Sequence, residues 1–431
     1  MKVPAENELD PWAVPEPEPT TLIALWPHQR PPMLGEVLAA GGGSSHRMAE
    51  VVEEVQGGAE VIWCREVRIP DHGQPAVIWS EPARPLGPEE LDDSGARQCR
   101  WIVGAETVLD QEDPLGDFAR MIRWLAGSVA DLPALLDANS GRWHPRDALQ
   151  KGLLADDLPP LPEALWIVHA VGNADGATWL HTHGLARCGR PELEMLEVPQ
   201  RYATTACELL SAIAGRLLEE PAPPPGEPYE IGRDLAVTFR RWQEVAPLIG
   251  AGVPGGMADR GPEDHTAHRG VRAVVCPTST QGVGQDMRFW PQDALEAVAD
   301  GGIPLYLSTQ ATEHAAAQAR VTWPRLQEAF GSLAGAAGEP RAQFLIKAGH
   351  VLPGEPDAPR EHIWFEVKRF EGDRARGLLL NTPVVIGSIK RGESVWIDRE
   401  TVSDWSVRTP LGVFGPAEAE AMSRTIYKAH P

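Results

Sequence analysis

The stretch WLHTHGLARCGRPELEML, Trp179 to Leu196, concentrates side chains able to bind a metal ion: His181, His183, Cys188, Glu192 and Glu194. Two histidines separated by one residue project to the same face of a strand, because side chains alternate with period two. If ATWLHTH is a strand, Trp179 shares that face; if PELEML runs beside it, Glu192 and Glu194 share a face as well. Zinc, iron and manganese accept such mixed nitrogen and oxygen donors, with a metal-bound water as the nucleophile of a hydrolase. Against a metal stand the missing HExxH helix, the missing cluster of aspartates, and the capacity of strand histidines to hydrogen-bond across a sheet. The residue types therefore favour a structural or partner-facing role and no cofactor. His181, His183, Glu192 and Glu194 form the alternative ligand set, which His169, on the other strand of the hairpin, could join.

Other constellations carry less chemistry. Asp264-His265-Thr266-Ala267-His268 holds two histidines inside a Gly/Pro-rich run, which reads as a surface loop. Gly41 to His46, GGGSSH, precedes a helical pattern but lacks the Walker lysine and the GxGxxG spacing, and reads as a turn. There is no GxSxG elbow, and the five cysteines, Cys64, Cys99, Cys188, Cys207 and Cys276, form no CxxC pair. Buried, reduced thiols are expected.

The elements that must position these residues follow from periodicity. TTLIALWP, AEVIWCREVRI and PAVIWSEP read as strands, with helical patterns in MLGEVLAAG and HRMAEVVEEV. RWIVGAETVL is a further strand. Asp113-Pro114 then supplies an N-cap and a first-turn proline, ahead of Leu115, Phe118, Met121, Ile122 and Leu125 at helical spacing. ALWIVHAV and ATWLHTH form a hairpin across GNADG, where Asp175-Gly176 suits a tight turn. Tyr202, Ala206, Leu209, Leu210, Ile213 and Leu217 mark a helix that ends at a proline-rich stretch. EHIWFEVKRF, GLLLNTPVV, SVWIDRE and VSDWSV are all extended.

These patterns predict an α+β protein of tandem ferredoxin-like β/α units, an α/β middle region and a small β-rich, barrel-like C-terminal domain. The expected divisions are an acidic, proline-rich disordered tail at 1–20, β/α units at 21–95 and 96–220, a linker at 221–230, a middle region at 231–340 and the β-rich domain at 341–431. At 431 residues, 42% hydrophobic and 23% charged, the chain has the composition of a folded protein of several domains. No apolar run reaches the roughly 18 residues of a membrane span, and the N-terminus lacks the form of a secretory signal, so a cytoplasmic location is expected.

Lys and Arg number 39 against 61 Asp and Glu, a net charge of −22; residues 341–431 hold 13 basic and 12 acidic residues, so the first 340 carry −23. Such a field repels nucleic acid and anionic membranes and favours a basic protein partner.

The segment from His362 to Val407 resembles the YegJ-like bacterial domain of unknown function, the DUF2314 family. The match runs through the aromatic strand Ile363 to Val367, Gly377, Asn381 and Pro383, Gly392, Val395 to Ile397, and Asp404-Trp405. Asn381 and Asp404 by themselves read as turn formers. Upstream, HTHGLARCGRPELEML resembles a second uncharacterised bacterial family, DUF4026, and is similar to a Gly-Leu and Pro-Glu-Leu-Glu pattern of suppressor-of-fused-like proteins. His181, His183, Gly184, Leu185, Glu192 and Glu194 are the positions that match. The resemblance implies a bacterial cytoplasmic protein with no defined catalytic residues, of a kind associated with toxin-immunity loci. The expected function is thus a non-catalytic interaction protein, an immunity or accessory factor. A metal-dependent hydrolase and a small-ligand sensor with a tryptophan-lined pocket are the alternatives.

Overall fold

The computed structural model describes residues 10–40, 50–55, 57–58, 60–173, 176–250, 252–260, 270–278, 289–300, 305–333, 342–350, 361–383 and 389–429. Asp264, His265, His268, the GGGSSH run and Asp175 lie outside these residues. Two units are distinguished: Met1–Ala155 with Pro160–Ser308, and Asp156–Pro159 with Thr309–Pro431.

The first unit begins β1 (Thr20–Trp26), α1 (Leu34–Ala40), β2 (Glu50–Glu54), β3 (Trp63–Arg68), β4 (Ala76–Pro82) and β5 (Trp101–Thr107). It continues with α2 (Pro114–Ser128), β6 (Ala134–Asp137), β7 (Arg142–Pro145) and α3 (Arg146–Lys151). These strands make one antiparallel sheet in the order β2-β3-β4-β5-β1-β6-β7. Its middle, β4-β5-β1-β6, with α1 following β1 and α2 following β5, has the ferredoxin-like order. That order is completed once, by strands drawn from both sides of residue 95. α2 starts where local chemistry directs: the Asp113 side chain accepts from the Gly116 N–H at 3.0 Å, and Pro114 holds the first turn. Its stripe of Leu115, Phe118, Met121, Ile122 and Leu125 is buried as the spacing predicts.

The second sheet of this unit is built from β8 (Ile167–Gly172), β9 (Ala177–His183), β10 (Glu192–Pro199), β11 (Pro228–Gly232), β12 (Leu235–Arg241) and β13 (Arg272–Pro277). Their order is β11-β12-β13-β10-β9-β8, with β10 and β13 parallel. α4 (Ala203–Glu219) packs on it through Ala206, Leu209, Leu210, Ile213 and Leu217; α5 (Trp242–Val245) and α6 (Gln292–Ala299) complete the unit. One apolar cluster joins Leu22 and Phe118 beneath the first sheet to Leu180, Met195 and Phe239 of the second.

Of the segment 1–20 expected to be disordered, the described part begins at Asp10. Trp12 is 2% exposed, meets Phe239 edge to face, and donates its indole N–H to the Pro223 carbonyl at 2.7 Å. A tryptophan surrounded by acidic and proline residues still offers more apolar area than any neighbour, and burying it outweighs the cost of ordering a few residues.

The second unit comprises α7 (Thr309–Val321), α8 (Trp323–Leu333), β14 (Gln343–His350), β15 (Glu361–Glu371), β16 (Arg374–Leu379), β17 (Ser394–Asp398), β18 (Val402–Thr409), β19 (Gly412–Phe414) and α9 (Ala419–Ala429). Its sheet runs β17-β16-β15-β14-β18-β19. The mixed α+β class stands, but among the described residues the barrel-like closure expected here is not found. Among the described residues, β17 and β19 are free edges of an open sheet. One face is sealed: Phe344, Ile346, Phe365, Trp405 and Val407 pack with Trp323, Leu326 and Met422 from the helices. A sheet with one face covered by helices has no need to curl on itself.

Candidate functional site

The site grows from the register of three strands. In the β8–β9 ladder His169 stands opposite His181, and in the β9–β10 ladder Glu194 stands opposite His181 from the other side. Cross-strand partners share a face, so His169, His181, His183, Trp179 and Glu194 project together. Ring centroids lie 5.5 Å apart for His169 and His181, 4.8 Å for His169 and His183, and 4.8 Å for His181 and His183. One ligand nitrogen from each imidazole falls within 4.8 Å of the other two. His181 is buried, His183 half-buried and His169 exposed, so the trio opens outward from the sheet.

The surroundings hold the central ring. Trp179 stacks on His181 at 3.9 Å between centroids. The Trp179 indole donates to Glu194 Oε2 at 3.0 Å, and Arg260 ion-pairs with the same oxygen. The Arg260 guanidinium lies 5.1 Å from the Trp179 ring and 3.6 Å from that of Trp242. Burial pulls the Arg260 pKa below its ordinary value, while Glu194 works against that shift. Glu194 thus fixes Trp179 and Arg260 through Oε2, and through them the His181 ring, while its buried Oε1 has no hydrogen-bond partner among the described residues.

Glu192 has a different task. Its carboxylate accepts from the Thr182 hydroxyl at 2.6 Å and from the Gly184 and Ala186 N–H groups at 2.8 and 3.1 Å. These three donors tie it to the turn after β9. Leu185 is fully buried beneath that turn. Gly184 sits there with φ +117°, and a Cβ would come within 2.2 Å of the Leu165 carbonyl oxygen. Gly184→Ala is expected to cost about 3 kcal/mol or more, measured as a lowered urea midpoint; an unchanged midpoint would show that the turn relaxes freely. Cys188 is fully buried with its thiol pushed up to about 12 by desolvation, which makes it an inert packing group.

Sequence reasoning missed Arg187. It is fully buried and reaches Asp137 at the end of β6 with two bonds of 2.7 and 2.8 Å, while Phe118 lies under its guanidinium at 4.7 Å. Nothing local in LARCG signals a partner 50 residues away. His169 was placed on the correct strand, but only the register puts it beside both other imidazoles.

In the second unit, Trp405 is a core residue whose indole donates to the Thr322 hydroxyl at 3.0 Å. Asp404, on the opposite face of β18, accepts from the Trp405 N–H at 2.7 Å, and burial holds its carboxyl above the ordinary range. Asn381 lies exposed just past β16, and Pro383 follows it half-buried. Asn381 and Asp404, far apart in sequence, line one pocket of about 510 Å³.

Residues 168–273 match the model of the C-terminal region of DUF4026, described as a protein of unknown function. Residues 309–428 match DUF2314, described as an uncharacterized protein conserved in bacteria. The two regions stand in the order that the sequence patterns anticipated; the suppressor-of-fused-like pattern is not among these matches. The histidine trio lies in the first region and Asn381, Asp404 and Trp405 in the second. No curated protein and no solved structure matches the chain. No helix among the described residues is long and apolar enough to cross a membrane.

Proposed function

We propose that this chain is a metal-ion-binding protein, with His169, His181 and His183 holding zinc or a similar divalent transition ion. The observation that carries the reading is the convergence of three imidazole nitrogens, all within 4.8 Å of one another, from two adjacent strands. Zinc bonds to imidazole at about 2 Å, which brings tetrahedral ligand nitrogens to roughly 3.3 Å apart. Rotation of the exposed His169 ring and the half-buried His183 ring toward the braced His181 covers that difference. Three protein nitrogens leave a fourth position, and the exposure of His169 turns it toward solvent. Glu192 is spent on the turn, and Glu194 bonds Trp179 and Arg260 through Oε2 while its buried Oε1 has no hydrogen-bond partner among the described residues. The close cluster is histidine alone, narrower than the alternative four-residue set the sequence offered.

Metal analysis of protein purified without a histidine tag tests this. About one zinc per chain is expected, retained at neutral pH, released in acid as protons compete for the ring nitrogens, and absent from His181→Ala. A wild-type chain that takes up no zinc, nickel or cobalt at micromolar concentration overturns the reading. The charge of −23 on the first 340 residues supports a second, compatible proposal, a basic protein partner. Its association rate would fall steeply as salt is raised.

A further inference from the structure

The helices cover one face of the second unit's sheet. On the other face, the register sets Gln343 against Arg408, Leu345 against Ser406 and Lys347 against Asp404 along β14 and β18. This face holds the pocket of about 510 Å³, bounded by Trp364 of β15, by Leu380 and Asn381 after β16, and by Glu418 before α9. That volume lies within the range of small-molecule sites. Its polar lining is unspent. Among the described residues, the side chains of Gln343, Asn381, Ser406 and Arg408 have no hydrogen-bond or ion-pair partner. Asp404 uses one carboxylate oxygen on the Trp405 N–H, and Glu418 uses one on the Gly415 N–H at 2.9 Å. One oxygen of each carboxyl remains.

We propose that this pocket binds a small zwitterion of the amino-acid type, its carboxylate on Arg408, its ammonium between Asp404 and Glu418, and its side chain against Trp364 and Leu380. The charges select this class. A polyanion would meet two carboxylates, a simple amine would leave Arg408 unused, and an apolar ligand would strand the polar lining. Burial and the charge of Glu418 both disfavour the ionised Asp404, while Lys347 across the ladder partly offsets them. An incoming ammonium relieves both costs. The inference is independent of the histidine trio, which lies in the other unit.

Isothermal titration of the full chain with individual L-amino acids tests it, alongside amines lacking the carboxylate and carboxylic acids lacking the amine. At least one apolar or aromatic amino acid is expected to bind with a dissociation constant below about 1 mM, and each truncated control about tenfold or more weaker. Arg408→Leu and Asp404→Asn are each expected to weaken that binding about tenfold or more, with unchanged far-ultraviolet circular dichroism. Absence of saturation by every amino acid up to roughly 10 mM overturns the proposal. So does binding by both variants at wild-type strength, or an amine control that binds as tightly as the amino acid.

Discussion

Asp137→Ala is expected to destabilise the first unit by about 3–5 kcal/mol, a large share of the stability of an ordinary domain. Both partners of the Asp137–Arg187 pair have fully buried side chains, so the variant leaves a guanidinium without its counter-charge in the core. The pair also gathers neighbours. Asp137 accepts from the Ser140 hydroxyl at 2.6 Å, and Arg187 donates to the Leu165 carbonyl at 2.6 Å. Because Asp137 ends a strand of the first sheet and Arg187 sits in the turn between β9 and β10, the loss falls on the junction of the two sheets. Urea denaturation followed by tryptophan fluorescence reads it directly. The double variant Asp137→Leu, Arg187→Met is expected to lose less than the two single variants summed, since an apolar pair strands no charge. Strict additivity would show that the two residues act separately.

Saturating zinc is expected to raise the stability of the first unit by about 4 kcal/mol when the free ion stands roughly a thousandfold above its dissociation constant. The gain follows from linkage: an ion that binds the folded imidazole trio more tightly than the unfolded chain pulls the equilibrium toward the fold. His181→Ala should abolish it, because that ring is the buried centre of the set, stacked on Trp179 and placed between His169 and Glu194. His169→Ala should leave a weaker, two-ligand site with a partial gain. Glu194→Gln keeps the shape but weakens the hold on Arg260, so it should lower affinity without removing the ligands. Thermal unfolding with zinc, and with a chelator added back, separates these outcomes. Equal stabilisation of wild type and His181→Ala would place the ion elsewhere.

The sequence by itself determined much local structure and the parity of the site, although Glu50–Glu54, inside a stretch that reads as helical, forms the strand β2 against β3. Asp113-Pro114 started α2, its apolar spacing set the buried stripe, and the single residue between His181 and His183 put both rings on one face. The extended character of the C-terminal segments was equally legible. These features depend on neighbours within one or two turns of chain, where periods of 3.6 and 2 are written directly into residue order.

Tertiary structure alone decided the rest. A one-residue slip of β8 would have turned His169 to the opposite face, and nothing in IVHAVG specifies its register against ATWLHTH. The open C-terminal sheet, the assembly of one seven-stranded sheet from both sides of residue 95, and the meeting of Arg187 with Asp137 are likewise matters of long-range pairing. So is the pocket that joins Asn381 to Asp404. Long-range pairing is chosen by how whole surfaces bury one another, a sum over many distant residues that no short window of sequence contains.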